Sequence, residues 1–194
     1  MADKIRVYDL DGTLSSLNNT FDFVRRYHTT RGAHFRLFLL RAFASFFFRF
    51  RVSPWLSRRI LIMLAFFGVR EDALSVFFEH SYIHEFSQTL TPLGREVKAS
   101  NNEHNVLLTG CVCTSARPIS EWFGFGLVIC TEPRTIRGRI VGVRKDTYGN
   151  RKKDAIRDLF QARGMRTKDA VYYTDDPKTE KDVTPLFGSV IDCS

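Results

Sequence analysis

Asp9 and Asp11, two residues apart in the run DLDGTL, follow directly on a short apolar stretch. Other chemically capable residues stand where further apolar runs end. Thr109 and Gly110 follow NVLL, and the adjacent carboxylates Asp175 and Asp176 follow AVYYT. Lys152 and Lys153 open the amphipathic run that precedes AVYYT. In an open parallel sheet, ligands bind beyond the carboxyl ends of the strands, and these residues would all be gathered there. Several carboxylates, a hydroxyl and a lysine on one rim repel each other unless a cation neutralises them. A hard divalent ion such as Mg²⁺ does so through oxygen ligands.

The elements needed to gather them are legible. KIRVYD reads as a first strand ending at Asp9, with a turn at Gly12. From Thr20 to about Lys98 the pattern is helical, with Phe35, Phe38, Leu39, Ala42, Phe43, Phe46, Phe47 and Phe50 at three- and four-residue spacings. Ser53-Pro54 opens a second helix that ends at Gly68, and a third runs from Glu71 past Tyr82 until Pro92-Leu93-Gly94 breaks it. After that the texture changes to short apolar strands at 105–109, 127–130, 170–174 and 189–192. A hairpin or extended arm is expected at 135–143, and a helix at 153–163 closed by Gly164. Strands alternating with helices imply an α/β fold, a Rossmann-like parallel sheet with helices on both faces. Residues 1–19 and 99–194 form its core, and residues 20–98 are an all-α insertion after the first strand.

Composition narrows the classes. The 194 residues, 44% of them hydrophobic, suit one domain with an insertion. No apolar run approaches the roughly 18 residues that cross a bilayer, and MADKIRVYDLDGTL has no signal-peptide apolar region. Cys111, Cys113, Cys130 and Cys193 include no C-x-x-C pair, so neither a disulfide framework nor a zinc site is expected, and the protein reads as reduced and cytoplasmic. The net charge of +8 is unevenly placed. Between Thr20 and Arg70 stand ten arginines, no lysine and a single acid, a net +9, together with eleven of the eighteen phenylalanines.

DLDGTL, LLTG, the lysine of RKKDAIRDL and YYTDD followed by DVTPLF resemble, in order, the four motifs of the haloacid dehalogenase superfamily of phosphatases. The helical block falls where that family places its first cap, in the manner of phosphoserine phosphatases and phosphatidylglycerophosphatase C. The resemblance implies a Mg²⁺-dependent phosphomonoester hydrolase with Asp9 as nucleophile, forming an aspartyl-phosphate. It makes Asp11 the general acid and then base. An alkoxide needs a proton to leave and a halide does not, so Asp11 favours phosphoester chemistry over dehalogenation. Gly12 permits the tight turn, Thr13 hydrogen-bonds within it, and Thr109 with Gly110 would hold phosphoryl oxygens. The metal falls to Asp9, Asp11, Asp175 and Asp176. For the motif lysine, Lys152 sets Ile156 and Leu159 at +4 and +7, whereas Lys153 sets Ile156 and Phe160 at +3 and +7. In the fourth motif, Thr179 and Glu180 stand where the family usually has its second acid. Either a few residues are inserted there or Asp176 and Glu180 share the role. Arg117 and Arg137 are candidates for contacting an anionic substrate.

Other features admit blander readings. His80 and His84 have the spacing of a zinc helix, but Ser81 replaces the glutamate that such a motif needs. Cys111 and Cys113 read as small buried residues sharing one face. The Arg/Phe block is a cap with solvated arginines, or else an element that meets anionic head groups and makes the protein membrane-peripheral. A lipid phosphate then stands beside a soluble one as substrate. Nucleic acid fits less well, because no recognised nucleic-acid motif accompanies the arginines. The rival to an enzyme is a non-catalytic protein of the same fold that holds an anionic surface.

Overall fold

The computed structural model describes residues 4–100 and 102–194. Six strands form one sheet in the order β4-β3-β2-β1-β5-β6: β1 (Arg6–Tyr8), β2 (Val106–Val112), β3 (Leu127–Ile136), β4 (Arg139–Lys145), β5 (Val171–Thr174) and β6 (Ser189–Asp192). All pairings are parallel except the β3–β4 hairpin. Successive side chains leave opposite faces of a strand. Val7 therefore joins Leu108, Ile156 and Phe160 on one side, while Tyr8 joins Leu107, Ile119 and Phe123 on the other. Helix α7 (Cys113–Phe123) covers the second face and α8 (Arg151–Ala162) the first. This is the expected Rossmann-like architecture. The chain reverses direction across the sheet at β1, which pairs β2 on one side and β5 on the other, so the crevice for a ligand opens at its C-terminal end.

Between β1 and β2 the chain is helical: α1 (Asn19–Thr30), α2 (His34–Arg49), α3 (Pro54–Phe66), α4 (Glu71–Phe77), α5 (Ile83–Ser87) and α6 (Pro92–Ser100). A π-type turn, Phe78–Tyr82, joins α4 to α5 without a break. Pro92 corrects one expectation. It does not end a helix but begins α6, where its missing N–H costs nothing. The hairpin grips this block: Gly68 N–H donates to the Ile140 carbonyl at 2.8 Å, and Ile140 N–H to the Val69 carbonyl at 2.9 Å. His28 ties α1 to α3 through a 2.7 Å bond between Nε2 and the Ala65 carbonyl.

A second correction concerns the cysteines. Cys113 and Cys130 are joined by a disulfide, their Cα atoms 5.1 Å apart. The two are 17 residues apart in sequence and meet because β2 and β3 pair in parallel. Cys111 and Cys113 are both buried in the core on the α7 side of the sheet, Cys113 as the first residue of α7. Strand β2 also continues through Gly110 rather than ending before it.

Candidate active site

Asp9 follows the last residue of β1, and its backbone N–H still donates to the Tyr173 carbonyl of β5 at 2.9 Å. Its carboxylate accepts the Leu10 N–H on Oδ1 at 2.8 Å, and Lys152 Nζ lies 2.9 Å from Oδ2. Lys152 enters from the first turn of α8 and is buried, with Glu180 Oε1 at 2.5 Å on its other side. Tyr172 OH at 2.6 Å and Thr174 Oγ1 at 2.9 Å both donate to Glu180 Oε2. One ammonium thus serves two largely buried carboxylates. Burial pushes the Asp9 carboxyl up to about 7 against the pull of Lys152, and Glu180 pushes the same way. Burial alone would lower Lys152, but Asp9 and Glu180 hold its ammonium above the ordinary lysine range.

Asp11 turns into the crevice beside them. Its Oδ1 accepts the Asn19 N–H at 2.9 Å and Asn19 Nδ2 at 2.7 Å, at the start of α1. The Cys111 thiol lies 3.5 Å from each Asp11 oxygen. Burial first, then the Asp11 charge, raises that thiol to about 12, so it stays protonated and donates. The loop from Asp9 to Thr13 closes on the end of β5. Thr13 Oγ1 donates to Asp175 Oδ1 at 3.2 Å and accepts the Asp175 N–H at 2.9 Å. Gly12 has φ +78°, and a Cβ there would fall 1.9 Å from Asp175 Oδ2. Only glycine lets that carboxylate close on the loop.

A cavity of about 530 Å³ opens over these groups. Asp9, Asp11, Thr109, Gly110, Lys152, Asp175 and Asp176 all border it. Thr109 is buried, and its Oγ1 accepts the Cys111 N–H at 3.1 Å. Of the two adjacent lysines, Lys152 lines the cavity and Lys153 does not. Asp176 lies at the outer edge, its side chain tied to Thr179 at 2.5 Å, while Glu180 one turn later points inward. Arg117 and Arg137 lie elsewhere. Arg117 is exposed on α7, and Arg137 is exposed in the β3–β4 turn with φ +50°. The arginine that borders the cavity is Arg58 of α3, which no spacing distinguished from its nine neighbours in the basic block. It pairs with Asp146 at 2.9 Å, donates to the Gly110 carbonyl and stacks 4.8 Å over the Tyr148 ring. Asn19 was likewise invisible, because its role depends on the chain turning back after Gly12.

The donors suit a hard cation. Asp9, Asp11 and Asp175 all border the cavity with oxygen donors. Among the described residues no group of three or more His, Cys, Asp and Glu forms a ready ligand cluster. Mg²⁺ does not require one, since it is commonly held by one or two carboxylates and keeps several waters.

A family model described as haloacid dehalogenase-like hydrolase matches residues 7–178. The chain belongs to that family. Among curated proteins, none matches this haloacid dehalogenase-like hydrolase in sequence. Several solved structures share its fold. A protein of unknown function from Bordetella pertussis Tohama I is 19% identical, with a TM-score of 0.66 over 88% of this chain and 81% of that one. A probable phosphoserine phosphatase from Vibrio cholerae is 13% identical, with a TM-score of 0.67 over 96% of this chain and 55% of that one. A substrate-bound phosphoserine phosphatase is 14% identical, with a TM-score of 0.62 over 99% of this chain and 86% of that one. At these identities the likeness is one of fold.

Proposed function

We propose that this hydrolase cleaves phosphomonoesters through an aspartyl-phosphate on Asp9, with Mg²⁺ as cofactor. The observation that carries the reading is the approach of Lys152 Nζ to within 2.9 Å of Asp9 Oδ2, with Asp11 two residues beyond on the same loop. A carboxylate attacks phosphorus only where positive charge stabilises the phosphoryl oxygens. An Asp9 oxygen forms the new P–O bond in line with the departing one. As the bond to the alcohol breaks, protonated Asp11 gives the alkoxide its proton. Asp11 then takes a proton from water, whose oxygen attacks phosphorus, releasing phosphate and restoring the Asp9 carboxylate. Asn19 orients Asp11 for both transfers, while Thr109, the Gly110 backbone and Lys152 hold phosphoryl oxygens. Thr13 positions Asp175. Mg²⁺ would be held by Asp9, Asp175 and the Asp11 carbonyl, and would supply the further positive charge that phosphoryl transfer needs.

The block at 20–98 acts as a cap over this site, and its chemistry points to an apolar leaving group. Phe21, Val24, Leu40, Leu61, Ile62 and Ala65 border the cavity from this side, where Arg58 is the one charged side chain and no acid is present. A zwitterionic leaving group such as serine carries an ammonium that would be desolvated there without a partner. The substrate class is therefore an alkyl or lipid phosphomonoester. Phosphate release from decyl phosphate and from phosphoserine, each with and without Mg²⁺, tests this. Turnover that needs Mg²⁺ and favours decyl phosphate supports the reading, whereas preference for phosphoserine removes the apolar assignment and leaves the reaction.

A further inference from the structure

The outward side of α2 is the least expected surface of the molecule. Phe35, Phe38 and Phe46 share one stripe along the helix and stand 73%, 65% and 51% exposed, with Phe43 and Phe50 beside them. Isolated apolar residues on a surface are ordinary, but a contiguous aromatic patch of this kind marks a contact surface. The arginines of α2 and of its two ends surround the patch, and α2 itself carries no acid. Arg41 lies three residues beyond Phe38 and Arg49 three beyond Phe46, both exposed, with Arg31 and Arg51 exposed at the two ends of the helix. No acid occurs between Asp22, which is buried, and Glu71. Among the described residues no helix is long and apolar enough to cross a membrane, so an apolar face here can lie on a bilayer but not span it.

We propose that α2 is a docking surface for an anionic lipid bilayer, with its phenylalanines entering the head-group boundary and its arginines meeting lipid phosphates. Charge selects this occupant. A second copy of the chain would bring two faces, each bordered by four arginines, against each other. A nucleic acid backbone would meet phenylalanine at the centre of the patch and arginine only at its border. A bilayer offers both halves of the match at the right depths. The surface lies outside the catalytic crevice and stands or falls independently of the reaction proposed above.

Sedimentation with phosphatidylcholine vesicles, and with vesicles of phosphatidylcholine and phosphatidylserine in equal parts, tests the docking. Wild-type protein should bind the mixed vesicles at least about tenfold more tightly than the neutral ones, and added salt should weaken that binding. F35S/F38S/F46S should weaken it about tenfold or more through lost apolar burial, and R41E/R49E by a similar factor with little remaining salt dependence. Both variants alter only exposed side chains and should hydrolyse a soluble aryl phosphate at the wild-type rate, so loss of docking is distinguishable from loss of chemistry. Wild-type protein that binds neither vesicle, or both equally, overturns the proposal. A wild-type dimer split by the phenylalanine variant assigns the face to a second copy instead. Retention by a duplex oligonucleotide without vesicle binding assigns it to nucleic acid.

Discussion

Lys152 lies between Asp9, 2.9 Å away, and Glu180, 2.5 Å away, and all three side chains are largely buried. Removing the ammonium leaves two carboxylates facing each other without a counter-ion. Lys152→Met should abolish turnover and cost about 3–5 kcal/mol of stability, the usual penalty for breaking a buried pair. Lys152→Met with Glu180→Gln should recover part of that stability, since one orphaned charge is gone, but none of the activity. Urea unfolding of the single and double variants reads the coupling, and simple additivity would contradict the shared-ammonium arrangement.

Asn19 is expected to act through Asp11. Asn19→Leu removes the 2.7 Å donor from Asp11 Oδ1 while leaving the backbone N–H in place. With the orienting donor lost, kcat should fall about ten- to a hundredfold while KM stays nearly constant. A change in KM alone would make Asn19 a substrate contact instead.

Gly12→Ala should damage the metal requirement before it damages the fold. The added methyl would fall 1.9 Å from Asp175 Oδ2, and the residue sits at φ +78°. The backbone cost is about 1–2 kcal/mol. The displaced Asp175 should raise the Mg²⁺ concentration for half-maximal activity by about tenfold or more, as loss of good ligand placement does. An unchanged Mg²⁺ dependence would remove Asp175 from the metal site.

His28 makes the α1–α3 junction sensitive to acid. Burial holds its imidazole below the ordinary value of 6.5, because charging it would desolvate a cation. Between its folded value and 6.5 the unfolded chain binds the extra proton, so this group's contribution to stability is complete above 6.5 and is lost as pH falls below it. Thermal unfolding across that range should show a decline that His28→Gln flattens. A decline of equal slope in the variant would place the acid sensitivity elsewhere.

Much of this molecule is legible in its residues, because strand and helix periodicity respond to burial, and the site residues stand at strand ends. Val7 and Tyr8 alternate between two cores as the short apolar run implies. What escapes is whatever depends on contacts between distant segments. Arg58 reaches Asp146 across 88 residues, and nothing in the basic block singles it out. Cys113 meets Cys130 only because β2 and β3 are neighbours. Arg117 and Arg137 have the right charge for a phosphate contact but stand on the outside of α7 and on a hairpin turn. Asp176 and Glu180 show how local geometry divides similar residues. Thr179 holds the first at the rim, and the next residue turns its carboxylate inward to Tyr172 and Lys152.

In the proposed reaction Asp9 carries the phosphoryl group. Acid-quenching the enzyme during turnover of an aryl phosphate with Mg²⁺, followed by mass spectrometry, examines it directly. One added phosphoryl group is expected on the peptide containing Asp9. The adduct and phosphate release should both be absent without Mg²⁺ and in Asp9→Asn. Steady phosphate release with no adduct, persisting in Asp9→Asn, would contradict it.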